Sequence, residues 1–212
     1  MKNYKYWIVL FTSMIITGNI YAQVVSGISP VSFTNEELFE CVLSSTNTIT
    51  LPALNNETEQ QRAQVIYSAK SGCSDCGDQY YGRGIDVSVD LKEQGTLHTL
   101  SNGDQIWTLR LTSETAYGMQ FYFNEFNLPE GADLFIYNQD RTMMLGSYTS
   151  ENNPSDPNQV IKFGTEYLQG NIIIFEYYEP YDAEFEGEIC ITNIIHIFKN
   201  FFNKSQAHIQ KG

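Results

Sequence analysis

The sequence has few basic residues and no long uninterrupted hydrophobic run. Its 212 residues include 12 Lys and Arg against 25 Asp and Glu, a formal net charge of −13 at pH 7. Because nucleic acids and anionic membranes are bound by Lys and Arg that neutralise phosphates, this balance argues against both partners. No apolar run reaches the about 20 residues that a transmembrane helix requires. The acidic surface is interpreted as a source of solubility or as a fit to a basic protein partner.

The N-terminus has the order of regions that is typical of a secretory signal peptide. Lys2 and Lys5 precede a short apolar stretch, and a polar segment then ends at the small residue Ala22. This order predicts a cleaved signal peptide over residues 1–22, and therefore a secreted, periplasmic or cell-surface protein. A retained anchor is the alternative, but Ser and Thr side chains interrupt the apolar stretch. Cleavage leaves 190 residues, enough for one hydrophobic core.

Four cysteines are present: Cys41, Cys73, Cys76 and Cys190. An even number in an exported protein favours disulfides over metal, and four cysteines allow three pairings. One arrangement closes Cys73 on Cys76 and joins Cys41 to Cys190. A redox Cys-x-x-Cys pair would lie at a helix N-terminus, whereas Cys73 and Cys76 lie in a Ser-, Gly- and Asp-rich segment. A zinc site would need the cysteines to converge.

The first part of the mature chain, residues 23–80, has an irregular pattern and is predicted to form an arm. Residues 42–43 and 48–51 are strand-like in composition, and residues 57–70 could form a short helix with a thin apolar face. No internal repeat is visible.

Residues 81–200 are predicted to form an all-β domain. Short runs rich in Val, Ile, Phe, Tyr and Trp recur between Gly, Asn, Asp and Pro clusters. The predicted strands are 85–91, 96–100, 105–112, 119–123, 133–137, 143–148, 160–163, 171–178 and 188–198. Asn102-Gly103 and Pro129-Glu-Gly131 are typical turn sequences. This pattern indicates an antiparallel β-sandwich or jelly roll, followed by a polar tail over 201–212.

No catalytic motif accompanies the three histidines, His98, His196 and His208. A hydrolase of the Ser-His-Asp type needs a nucleophile beside a positioned base, and no serine motif is present. A lone histidine on a strand is more often structural. The sequence therefore predicts no catalytic residue, no cofactor and no metal site.

Several carboxylates cluster near the last two predicted strands. They could provide a pair for glycoside cleavage or a calcium ligand set, but no Asp-x-Asp-x-Asp-Gly loop is present, and a solvated acidic loop is the simpler interpretation. The residues are Glu176, Glu179, Asp182, Glu184, Glu186 and Glu188.

Three tyrosines in the same region, Tyr177, Tyr178 and Tyr181, are the candidate binding surface. Aromatic side chains are enriched at interfaces and could stack on a sugar ring or a protein surface. With 14 Tyr and 13 Phe in the chain, ordinary packing is the competing interpretation.

Four ordered segments, residues 97–111, 127–138, 163–166 and 174–180, resemble the N-terminal region of lysyl-endopeptidase-like secreted bacterial serine proteases. Residues 189–199 resemble the last strand before the protease domain of that family. The resemblance implies a propeptide, which precedes a trypsin-like domain carrying the catalytic triad. No segment here matches that domain, so no catalytic residue is carried over.

The expected function is that of a secreted, non-catalytic, propeptide-like domain. Its partner would be a trypsin-like serine protease domain, for which it would act as a folding chaperone or an inhibitor; a truncated precursor is a variant of this hypothesis. The alternative is a secreted or surface β-sandwich that binds a glycan or a protein. An enzyme in its own right is the third hypothesis, and no constellation of residues supports it.

Overall fold

A computed structural model describes residues 28–71, 80–156 and 158–200. The predicted signal peptide, Cys73, Cys76 and the polar tail with His208 lie outside these residues. The helices are α1 (Val31–Thr34), α2 (Glu36–Ser45), α3 (Asn56–Ser71) and α4 (Leu91–Gln94). The strands are β1 (Thr48–Thr50), β2 (Gly82–Asp90), β3 (Thr96–Thr99), β4 (Gln105–Thr112), β5 (Gly118–Asn127), β6 (Asp133–Asn138), β7 (Met144–Tyr148), β8 (Phe163–Gly164), β9 (Leu168–Gln169), β10 (Ile172–Glu179) and β11 (Glu188–Ile197). None of the described helices is long and apolar enough to cross a membrane.

The strands form two sheets that enclose one core. The six-stranded sheet has the order β1-β4-β10-β6-β7, and β3 pairs with the same edge of β4 as β1. The five-stranded sheet has the order β2-β11-β5-β8, with β9 beside β8 along β5. All pairs are antiparallel except β1 with β4. The orders β2-β11-β5-β8 and β4-β10-β6-β7 are those of a jelly roll, which confirms the predicted all-β sandwich.

The period-2 alternation explains why the strands were predictable. Along β4, Leu109 and Leu111 enter the main core, whereas Thr108 and Arg110 lie on the outer face. The predicted bounds of this strand agree with the structure. The main core also contains phenylalanines from both sheets, and Phe121 of β5 meets Phe175 of β10 edge to face at 4.8 Å between ring centroids. The sandwich therefore closes through side chains that the alternation directs inward.

The two predicted turns are confirmed, whereas the strand predicted over 160–163 is displaced and shortened. Gly103 and Gly131 have φ of +93° and +80°, as the predicted turn sequences require. The strand predicted over 160–163 is reduced to Phe163 and Gly164, and Val160 is 83% exposed. Its apolar residues lacked the alternation that places a strand in the core.

The N-terminal segment is more regular than the predicted arm. Residues 42–43 are helical rather than extended, because they belong to α2. Asn35 caps this helix by accepting a hydrogen bond from the backbone of Leu38, and Glu36 and Glu37 occupy the first turn. Of the strand-like residues 48–51, residues 48–50 form a strand, β1, and the predicted short helix is confirmed as α3.

Helices α1 and α2 cover the outer face of the six-stranded sheet. Phe39 and Val42 of α2 pack with Phe135, Tyr137 and Ile174 in a second apolar cluster. The same face thus buries side chains that the sequence pattern alone would direct to solvent.

The proposed Cys41–Cys190 disulfide is not formed, and both thiols are free. Cys41 lies on α2, outside the six-stranded sheet, whereas Cys190 lies on β11 in the five-stranded sheet. Packed sheets are about 10 Å apart, and the Cα atoms of a disulfide must be within about 7 Å. Cys190 instead donates a hydrogen bond to Asp90 at 3.2 Å, and burial raises the pKa of its thiol.

Candidate functional site

The three predicted surface tyrosines have different environments. Tyr177 is fully buried and stacks on Trp107, with 5.8 Å between ring centroids. Tyr178 is half-buried on the outer face of β10. Tyr181 is 71% exposed in the loop between β10 and β11. The prediction of a shared binding surface was therefore wrong for Tyr177, because its position in the alternation of β10 directs it into the core.

Residues 180–187, here called the acidic loop, connect β10 to β11. Asp104 holds its first end: its carboxylate accepts hydrogen bonds from the Tyr178 hydroxyl at 2.5 Å and from the backbone N–H of Tyr181 at 3.1 Å. The carboxylate also accepts from the side-chain amide of Asn102. These bonds, the Tyr178 hydroxyl first, lower the pKa of Asp104. Burial raises the pKa of Tyr178 to about 12, so its hydroxyl keeps the proton that it donates.

Glu179 holds the other end of the acidic loop. It is 4% exposed, and its carboxylate accepts hydrogen bonds from the Tyr177 hydroxyl at 2.6 Å and from the backbone N–H of Gly187 at 2.7 Å. The Lys92 ammonium lies 3.1 Å from the same carboxylate and 4.4 Å from the centre of the Trp107 ring. A side chain at position 187 would overlap the Tyr177 hydroxyl, so glycine is required there.

Between these two anchors, the acidic loop exposes aromatic and acidic side chains. Tyr181 and Phe185 are 71% and 40% exposed, and Asp182, Glu184 and Glu186 are exposed as well. The fixed ends reduce the entropy that ordering on a partner would cost. Aromatic groups surrounded by carboxylates on a pre-organised loop can pack against, and pair with, a basic surface.

Phe185 is the residue of this surface that the sequence analysis missed. It stands alone between two glutamates in an acidic stretch, and an isolated aromatic residue in such a stretch is a recognisable signal. Tyr177, Tyr178 and Tyr181 were predicted instead because they form a denser aromatic cluster, although Tyr177 is buried and Tyr178 is half-buried.

A chain of hydrogen bonds joins Ser113, His196 and Asn56. The Ser113 hydroxyl donates to His196 Nδ1 at 2.7 Å, and His196 Nε2 donates to the side-chain oxygen of Asn56 at 2.8 Å. Burial lowers the pKa of His196, which keeps it neutral. Ser113 and His196 are 1% and 0% exposed, so no substrate has access to this hydroxyl. The arrangement fixes the first residue of α3 against β11.

The remaining sequence candidates do not converge. His98 Nε2 lies 3.1 Å from Thr108 Oγ1 on the outer face of the six-stranded sheet, away from His196. Glu176 and Glu179 are buried in separate networks, and the other four carboxylates of the cluster are exposed. Within the described ranges, no three His, Cys, Asp or Glu side chains form a group that could hold a metal ion.

Glu176 anchors the N-terminal segment to the outer face of β10. Its carboxylate accepts hydrogen bonds from the Ser32 hydroxyl at 2.5 Å, the Ser32 backbone at 3.1 Å and the Tyr137 hydroxyl at 2.9 Å. Glu176 is 1% exposed, and burial raises its pKa. Arg110 completes the attachment by donating to the Leu43 carbonyl at 2.6 Å near the end of α2.

Comparisons with protein-family models, with curated proteins and with solved structures find no match to this chain. The resemblance to the protease propeptides therefore stays a prediction.

Proposed function

We propose that this chain is a secreted, non-catalytic, propeptide-like domain that binds a trypsin-like serine protease and acts as its folding chaperone or inhibitor. The observation that carries the proposal is the acidic loop, which exposes Tyr181 and Phe185 among three carboxylates between two buried anchors. Such a surface suits a basic protein partner better than a nucleic acid or an anionic membrane.

Two further observations support this proposal. The resemblance of four ordered segments to propeptides of lysyl-endopeptidase-like proteases suggests the class of partner. The Ser113–His196 contact, the described pair that most resembles a nucleophile and its base, is enclosed and serves to position α3. A protein with this arrangement would act by binding, which stabilises the native protease or occupies its cleft.

The test uses the purified chain and a lysine-specific serine protease. We expect slow, tight inhibition of the folded protease and a higher yield when the denatured protease is refolded with the chain present. The double variant Tyr181→Ala/Phe185→Ala should weaken both effects at least about tenfold, because central aromatic side chains dominate interface energies.

Tyr117→Ala is the matched control. Tyr117 is 39% exposed in the loop after β4, at the opposite end of the sandwich, and its loss should leave inhibition unchanged. The proposal fails if several lysine-specific proteases are neither inhibited nor refolded better. Equal losses in the two variants would contradict the assignment to the acidic loop.

A second candidate is a secreted or surface module that binds a glycan or a protein without any protease. The exposure of Tyr181 favours it, because one face of an exposed tyrosine ring on a fixed loop can stack on a sugar ring. A glycan array with Tyr181→Ala as the variant distinguishes it: glycan signals that disappear in the variant, together with no effect on proteases, would establish this function.

A further inference from the structure

A polar pocket lies at the end of the sandwich opposite the acidic loop. It is open to solvent on one side and has a volume of about 290 Å³ between the β6–β7 turn and the β9–β10 turn. Ile172, on its wall, is the first residue of β10, whereas the acidic loop follows Glu179, the last residue. Seven steps of about 3.3 Å along a strand separate the two features by about 23 Å. The pocket is therefore independent of the proposed protease-binding surface.

Asn138 fixes the two turns that form the pocket. It is 4% exposed, and its side-chain amide donates to Thr142 Oγ1 at 2.9 Å and to the carbonyl of Gln169 at 3.1 Å. Its side-chain oxygen accepts from the backbone of Met143 at 2.9 Å. One buried side chain thus satisfies groups on both turns, which makes the pocket a pre-formed feature of the fold.

The polar groups that remain available in the pocket are almost all uncharged. Gln139 and Gln169 line it, and within the described part of the chain neither side-chain amide takes part in a hydrogen bond. Asn171 uses its amide nitrogen to donate to the Glu114 carbonyl, which leaves its side-chain oxygen available. Asp140 uses one carboxylate oxygen for Thr142 and keeps the other.

The residues that line the pocket select against anions and apolar ligands. Among the described residues that line the pocket there is no Lys, Arg or His, and the one charged residue is Asp140. The neighbouring Arg141 turns away, with its guanidinium over the Phe39 ring and 3.7 Å from Glu36. A phosphate or carboxylate would meet Asp140 without a compensating cation. Ile172 carries the only apolar side chain among the described residues of the lining, so an apolar ligand would desolvate amides without replacing their hydrogen bonds.

We propose that this pocket binds a neutral, polyhydroxylated ligand of about the size of a monosaccharide. Hydroxyl groups both donate and accept, as the amides of Gln139 and Gln169 and the free oxygen of Asn171 require. The volume of about 290 Å³ lies just below the range of about 300–1,000 Å³ for small-molecule pockets, so the pocket suits only a small ligand.

The test is a chemical-shift titration of the full chain with a panel of neutral hexoses, pentoses and N-acetylhexosamines. We expect saturable shifts of the backbone amides of residues 139–142 and 169–171. The double variant Gln139→Ala/Gln169→Ala should weaken binding about thirtyfold, because it removes two hydrogen-bonding groups that each contribute about 1 kcal/mol. Both positions are exposed, so the fold should be retained and can be checked by thermal unfolding.

Two controls separate this pocket from other sites. Tyr181→Ala, at the opposite end, should leave the titration unchanged, and hexose phosphates should bind more weakly than the corresponding neutral sugars. The proposal is overturned if no neutral sugar shifts these amides at about 50 mM, well above a dissociation constant of about 1 mM. Equal binding of the phosphates, or equal affinity of the double variant, would also overturn it. Failure of protease binding by the acidic loop would not affect any of these results.

Discussion

Hydrogen bonds to buried carboxylates hold both the N-terminal segment and the acidic loop in place. The N-terminal segment covers a face of the protein, whereas the acidic loop exposes its side chains. Glu176 accepts three hydrogen bonds from Ser32 and Tyr137 and holds α1 against the sheet, where α1 and α2 close its outer face. Asp104 and Glu179 accept comparable sets of bonds but hold a loop that exposes its side chains. A buried carboxylate with several donors can therefore fix a segment that covers a surface or a segment that presents one. The side chains of the attached segment decide which of the two occurs.

All of these anchors depend on the free-energy cost of burying a carboxylate. That cost is offset only when several donors converge on the oxygens, so each anchor specifies a defined arrangement of its donors. At Glu176 the donors are hydroxyl and backbone groups, whereas at Glu179 the Lys92 ammonium is added. Removal of the Glu176 and Glu179 carboxylates should consequently reduce stability by different amounts.

Removal of the Glu176 carboxylate should have the largest effect. The Ser32 and Tyr137 hydroxyls lie 3.0 Å apart and can still bond to each other in Glu176→Ala. The Ser32 backbone N–H and one of these hydroxyls nevertheless lose their acceptor and a cavity opens, so we expect a loss of about 3 kcal/mol in the free energy of unfolding. Urea denaturation measures it. Glu188→Ala, at an exposed position on β11, should change stability by less than about 0.5 kcal/mol. A loss below about 1 kcal/mol for Glu176→Ala would show that the carboxylate does not hold α1.

Removal of the Glu179 carboxylate should cost less, because the Lys92 side chain is 18% exposed and can gain water. We expect a loss of about 2 kcal/mol for Glu179→Ala, together with faster hydrogen exchange of the Gly187 amide. The double variant Lys92→Met/Glu179→Leu should recover part of the stability, since it removes both charges. Unchanged exchange at Gly187 would contradict the role of Glu179 as the anchor of the loop.

The stability of the α3 attachment should depend on pH through His196. Burial lowers the pKa of His196 from its ordinary 6.5, so the unfolded chain binds the proton first as pH falls. The contribution is complete above about pH 6.5 and is lost as the pH decreases through the folded pKa, with a slope of at most about 1.4 kcal/mol per pH unit. His196→Gln should flatten the dependence of the urea midpoint on pH in this range. His98, whose pKa burial also lowers, contributes in the same direction and remains in the variant; an identical slope in both proteins would refute the assignment to His196.

Substitutions of the buried Tyr177 and the exposed Tyr181 should differ in their effect on protein stability. Tyr177→Phe removes one donor from Glu179 and should cost about 1 kcal/mol, whereas Tyr181→Ala should change stability by less than about 0.5 kcal/mol. Thermal unfolding of both variants gives the comparison. A larger loss for Tyr181→Ala would indicate that this side chain supports the loop rather than contributes an accessible surface.

The sheets were largely predictable, but the attachment of the N-terminal segment was not. Leu109 and Leu111 alternate with polar residues, and this local pattern is sufficient to identify β4 and its buried face. Helix α2 was missed although Asn35 and the two glutamates that follow it form a helix start signal. Its apolar residues Val42 and Leu43 are adjacent, which suggested a strand when considered without that signal.

The candidate site was only partly predictable for a related reason. The clustering of tyrosines and carboxylates after residue 175 located the region, yet Tyr177 and Tyr181 are chemically identical and only their positions relative to the core distinguish them. The pocket depends on two turns about 30 residues apart, joined by Asn138. No pattern within either turn indicates the other.

The sequence by itself determined the all-β class and the positions of most strands, because side chains on a strand alternate between two faces whatever lies beyond them. Only the tertiary structure decided which polar side chains are buried, since Glu176, Glu179 and His196 meet their partners across separations that no local pattern spans. Burial and hydrogen-bond pairing depend on which distant segments pack against each other. The two anchors of the acidic loop, and the sheet face covered by α1 and α2, are set by that packing.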